Sequence, residues 1–257
     1  MRIKFAKVES VVLPLAAIVA VTGLWHLLVV WTATRVFPSP AAVALAIVEL
    51  GHRGLLLRYT VASLLRVAGG YSIAIVLGIP IGILLGWFPP LARAFNPVVQ
   101  VLRPISPIAW IPVSIILFGV GNGATVFLIF LGAFFPVVVT TMNGAQRVPV
   151  HFLRAGRNFG LSRGALFRRV VFPAMLPEIL TGLRIALGIA WLVVVAAEMV
   201  AINSGLGYLI IDSRNAGKRY DLVVAGMLLI GTVGLLLDIA LRQVETLRSV
   251  RWGFRRQ

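Results

Sequence analysis

Pro149-Val-His-Phe-Leu-Arg-Ala-Gly-Arg-Asn-Phe-Gly-Leu-Ser-Arg-Gly-Ala-Leu-Phe-Arg-Arg-Val-Val-Phe-Pro-Ala-Met-Leu-Pro177 is the longest polar interruption in the more hydrophobic half of the chain. Arg147 stands just ahead of it, Arg154, Arg157, Arg163, Arg168 and Arg169 fall inside it, and no acidic residue occurs before Glu178. A basic segment between two apolar runs reads as a cytoplasmic loop of a membrane protein. Phe152, Ala155, Phe159 and Leu166 fall near helical spacing, with Gly156 and Gly160 among them. The pattern predicts a short helix on the membrane surface, closed by Gly160, and a second helix running to Pro173.

The rest of the chain agrees with a membrane setting. Of its 257 residues 60% are hydrophobic and only 12% charged, where soluble domains carry about 25% charged residues. The net charge of +16 could indicate nucleic acid. The basic residues, however, sit at the ends of apolar runs and form no patch with interleaved aromatics, so no nucleic-acid role is expected. Cysteine is absent, and His26, His52 and His151 are far apart, so neither thiol chemistry nor a metal site is expected.

Taken in order, residues 11–31 form an uncharged first span. Phe37-Pro38-Ser39-Pro40 breaks it, and residues 41–50 are too short to cross and are placed along the outer surface. The second span, Thr60–Trp87, carries Gly69, Gly70, Gly78, Gly82 and Gly86, small residues that let membrane helices pack closely. The third, Leu91–Val120, is broken by Pro104, Pro107 and Pro112. Such a break is tolerated at membrane depth only against protein or a water-filled cavity. Ala124–Met142, Thr181–Ala201 and Leu222–Leu241 complete about six transmembrane helices in one all-α transmembrane domain, with a core at about residues 55–240 and the basic loop at 143–178. Both termini are placed inside. Fifteen basic residues then lie inside, including Arg248, Arg251, Arg255 and Arg256 of the tail, and seven outside, among them Arg35, Arg58 and Arg66.

The loop resembles the EAA loop of ABC importer permeases. That pattern is Glu-Ala-Ala, three residues, Gly, nine residues, an aliphatic residue, one residue and Leu-Pro; here it reads Arg154-Ala155-Gly156, Gly160, Val170, Phe172 and Pro173. Arg154 replaces the usual Glu, which changes the salt-bridge partner. A second resemblance lies in Arg103-Pro104-x-x-Pro107-x-Ala109-Trp110-x-Pro112, followed by Phe118-Gly119-x-Gly121, and in Gly205-Leu206-Gly207-Tyr208. These are similar to permeases of the nitrate, sulfonate, taurine and bicarbonate importers. The resemblance implies a type I ABC importer permease fold in the bacterial inner membrane and a homodimer. It also implies two ATP-binding subunits inside, holding ATP and Mg, and a solute-binding protein outside. Arg154, Ala155, Gly156, Arg157, Gly160 and Pro173 would form the ATPase-docking segment, and the solute would be a small anion; the family also includes carriers of neutral heterocycles.

The chain has no Gly-x-x-x-x-Gly-Lys-Ser/Thr and no nucleophile elbow or paired carboxylates, so neither catalysis nor a cofactor on this chain is expected. Arg103, Ser106 and Trp110 at the break are the expected translocation-path residues. Glu198 either joins them or pairs with an arginine, since charges inside spans mark function or pairing. A self-contained secondary transporter would need paired broken helices in both halves, and only the third span is conspicuously broken.

Overall fold

A computed structural model describes residues 2–32 and 36–245. Arg35 and the tail arginines Arg248, Arg251, Arg255 and Arg256 lie outside these residues. Every element among the described residues is helical: α1 (Arg2–Thr32), α2 (Pro40–His52), α3 (Leu55–Trp87), α4 (Pro89–Leu102), α5 (Ile111–Phe118), α6 (Asn122–Gln146), α7 (Val150–Asn158), α8 (Arg163–Leu166), α9 (Phe172–Ala201), α10 (Leu206–Gly217) and α11 (Tyr220–Glu245). Five helices are long and apolar enough to cross a membrane, and six spans result if the bent pair α4 and α5 counts as one.

The chain divides into two compact units, Met1–Arg58 with Leu209–Leu229, and Tyr59–Tyr208 with Ile230–Gln257. In the first, Ser39 caps α2 by accepting from the Ala42 N–H at 3.3 Å, with Pro40 at the first turn where its missing donor costs nothing. Val43, Ala46 and Leu50 form the buried stripe of α2. Trp25 Nε1 donates to the Pro38 carbonyl at 3.2 Å, tying α1 to that turn. Arg219 bridges Glu49 and Asp221, both at 2.7 Å; its hydrogen bond holds the Glu49 carboxyl below the usual carboxylate range.

The second unit is built on α6. Gly70, Gly78, Gly82 and Gly86 of α3 face Ile129, Val137, Thr141 and Ala145 of α6, a constant offset that makes the two helices parallel neighbours. A Cβ on Gly82 would lie 2.7 Å from the Val138 carbonyl oxygen, so the backbones approach as closely as glycine permits. On its other side α6 runs antiparallel to α9: Gly132 meets Val193, and Gly144 meets Met175 and Glu178. Arg184 of α9 binds Asp238 of α11 at 2.7 Å, and Arg242 closes on the same carboxylate at 2.8 Å.

The structure departs from the sequence reading at two places. The helix after Gly160 does not stop at Pro173. A π-helical turn, Phe167–Val171, joins α8 to α9, and the helix continues through Pro173 and Pro177. Pro173 falls within the first turn of α9, and the wider π turn before it relieves the clash a proline makes with the preceding turn. Arg66, counted with the outer-face charges, is instead buried on α3.

Candidate functional site

The basic loop is a cap motif followed by a turn. α7 ends in a Schellman arrangement: the Leu161 N–H donates to the Gly156 carbonyl at 3.1 Å and the Gly160 N–H to the Arg157 carbonyl at 2.9 Å, with Gly160 at φ +72°. Ser162 then caps α8 by accepting from Ala165 N–H at 3.3 Å. Gly156 is buried, and a Cβ there would run into Leu166. The helix therefore has two faces. Val150, Leu153 and Arg157 line a cleft together with Leu166 and Phe167. Arg154, Ala155, His151, Asn158 and Phe159 are exposed away from Gly156. Of the sequence-predicted docking residues, Arg154 and Ala155 share the outward face, Arg157 lines the cleft, Gly156 and Gly160 shape the turn, and Pro173 starts α9.

Nothing lies within 4 Å of a Cβ built on Gly160, so its requirement is conformational rather than steric. Replacing it by Ala should cost about 1–2 kcal/mol of local stability. Asn, which tolerates the left-handed region, should cost less. Limited proteolysis of the loop checks this, with faster cleavage expected for Gly160→Ala than for Gly160→Asn.

The broken third span forms the second feature. α4 and the segment Pro107–Phe118 meet at 86°. The break leaves a cavity of about 260 Å³ lined by Arg103, Ser106, Phe135, Thr140, Ile185 and Ile189 among others, with no Asp or Glu in its wall among the described residues. Thr140 donates to the Pro136 carbonyl at 2.8 Å, whereas Arg103 has no ion pair among the described residues. Trp110 is half-buried on a short 3-10 turn, Pro107–Trp110, and is not in this wall.

Glu198 is elsewhere. It is fully enclosed, and Arg66 Nη1 lies 2.6 Å from its carboxylate. The Ser63 hydroxyl stands 2.8 and 2.9 Å from the two carboxylate oxygens, and the Gly207 N–H donates to Oε2 at 3.0 Å. Arg66 also donates from Nε to Asn122 Oδ1 at 2.8 Å and from Nη1 to the Ser204 carbonyl at 3.0 Å. A buried ion pair is tolerable only when such partners satisfy both charges. Gly205, at φ +106°, has no room for a Cβ because the Glu198 carboxylate occupies that space, and at Gly207 the Val195 carbonyl oxygen does. The carboxylate thus sits at the amino end of α10, where helix N–H groups favour negative charge. The glycine pair after the fifth span, read with the acid just before it, was the available sequence signal. Ser63 and Arg66, three apart and so on one face of α3, were the other.

Residues 78–249 match the family described as the binding-protein-dependent transport system inner membrane component. The chain belongs to this family. The permease is 37% identical over 244 residues to the bicarbonate transport system permease protein CmpB of Synechococcus elongatus, covering 90% of this chain and 87% of that protein. It is 41% identical over 186 residues to the nitrate import permease protein NrtB of a Synechocystis species, covering 72% and 67%. An inward-facing structure of the MetNI methionine ABC transporter shares the fold, with a TM-score of 0.67 at 21% identity over 76% of the permease and 96% of that chain. The permease is thus an all-α inner-membrane component of an ATP-driven ABC importer, with the type I importer permease fold.

Proposed function

We propose that the permease passes a small anion, of the nitrate, bicarbonate or sulfonate kind, through the cavity at its broken span. The observation that carries this is the wall of that cavity: Arg103 and Ser106 line it and, among the described residues, no carboxylate opposes them. At an effective dielectric of about 20, a unit charge pair about 4 Å apart gains roughly 4 kcal/mol, enough to offset part of the lost hydration. The relatives named for bicarbonate and nitrate import support the same class. In this reading a solute-binding protein delivers the anion on the outer side and a second copy of the permease completes the path. Trp110, beside the break but outside this wall, joins the path only where the second copy completes it. Two separate subunits hydrolyse ATP with Mg and dock on the Arg154–Ala155 face of α7, whose arginine suits an acidic groove. Both termini lie on the cytoplasmic side, in keeping with the excess of basic residues there. Glu198 belongs to the buried ion pair and not to the path.

Uptake by reconstituted vesicles tests the solute path. Arg103→Gln should abolish anion uptake while the loaded binding protein still stimulates ATP hydrolysis. Uptake at the wild-type rate would remove Arg103 from the mechanism. Since the chain has no native cysteine, Ser106→Cys should react with a small water-soluble thiol reagent in at least one nucleotide state; protection in every state would place Ser106 off the path.

A further inference from the structure

Two membrane-crossing helices end at one cleft. α3 stops at Trp87, α6 stops at Gln146, and Arg163 opens α8 within the basic loop. All three residues line a cleft of about 1150 Å³ under the loop. The ends of spans mark the boundary between hydrocarbon and headgroups, where tryptophan is at home. The cleft therefore opens at headgroup depth, on the face that carries the basic loop.

Its wall is of two kinds. Leu153 and Phe167 supply an apolar surface, while Arg157 and Arg163 are the only charged residues in the lining among the described residues. Neither arginine has an ion pair among the described residues, whereas nearby Arg147 is matched by Glu178 at 2.8 Å. We propose that this cleft holds one anionic phospholipid, its phosphate between the Arg157 and Arg163 guanidinium groups and the start of an acyl chain along Leu153 and Phe167. A guanidinium suits a phosphodiester, and only an amphiphile satisfies the charged and apolar walls together at this depth. An acidic peptide of the ATPase would meet the arginines but leave the apolar wall in water. The outward face of α7, with Arg154 and Ala155, stays free for the ATPase. The proposal rests on the loop lying at the headgroups, and is independent of which solute is carried.

The test uses the purified transporter with its ATPase, stripped of lipid and titrated with phosphatidylglycerol or phosphatidylcholine of identical chains, bound lipid being counted by native mass spectrometry. One phosphatidylglycerol per permease chain is expected to bind in preference to phosphatidylcholine. Two basic side chains at an anionic headgroup correspond to about a 30-fold effect, so Arg157→Gln/Arg163→Gln should weaken phosphatidylglycerol binding by about that factor. Arg168→Gln/Arg169→Gln, on the same loop but outside the cleft, should change nothing. An equal loss in both pairs would mean diffuse attraction to the loop and would overturn the site, as would equal binding of the two lipids. If Arg157→Gln/Arg163→Gln releases the ATPase while lipid binding is unchanged, the cleft belongs to the ATPase. Anion uptake measured on the same preparations keeps a failure here separate from a failure of the transport reading.

Discussion

Arg66→Met is expected to destabilise the permease by about 3–5 kcal/mol, because it leaves the enclosed Glu198 carboxylate with no countercharge. Glu198→Gln should cost less. The amide can still accept from Ser63 and Gly207, but Arg66 then keeps only the oxygens of Asn122 and Ser204. The double variant Arg66→Met/Glu198→Gln should be more stable than the sum of the single losses predicts, since the second change removes a charge already orphaned by the first. Thermal unfolding in detergent, followed by tryptophan fluorescence, measures all three. Strict additivity, or single losses below about 1 kcal/mol, would show that the pair is solvated in the working protein. Protein of the Glu198→Gln variant that survives should carry the same solute as the parent, because Glu198 lines no part of the cavity at Arg103.

The second large effect is expected along the α3–α6 contact. An alanine Cβ at Gly70 would stand 2.7 Å from both Ile129 Cβ and the Val126 carbonyl oxygen, and at Gly82 it would stand 2.6 Å from Thr141 Cβ. The carbonyls cannot yield without moving α6 as a whole. Gly70→Ala or Gly82→Ala should each cost about 1–3 kcal/mol by overpacking. Gly69→Ala, whose nearest neighbour is Val126 at 3.8 Å, should be close to neutral or slightly stabilising. The Gly70→Ala/Gly82→Ala pair should cost less than the sum, because helices already separated at one point have less to lose at the other. Equal losses at Gly69 and Gly70 would show that the effect is one of helix propensity and not of contact.

The features readable from the sequence were those written in local chemistry. Hydropathy located the spans, prolines located the break in the third, and the arginine-rich stretch with Gly160 located the loop and the end of α7. What stayed hidden depends on pairing at a distance. Arg66 looked like an outer-face charge because a hydropathy window registers a charge and not its partner. Glu198 presented two readings for the same reason, and 132 positions separate it from Arg66. The division of α7 into a cleft face and an outward face was also hidden, since both faces carry arginine; the Gly156–Leu166 contact decides it. Pro173 misled because the π turn before it makes room for its ring.

The distance between Arg66 and Glu198 also has a consequence for biogenesis. α3 enters the bilayer well before α9 has been synthesised. A lone arginine at the centre of a membrane helix costs roughly 2.5–3.5 kcal/mol, and less toward an end. At about 5–20 residues per second, the 132 residues between the two partners take roughly 7–26 s to make. Through that interval α3 must be held by its apolar length, by α6 against its glycine face, or by the insertion machinery. Only the arrival of the last residues of α9 and the glycine-framed start of α10 neutralises it.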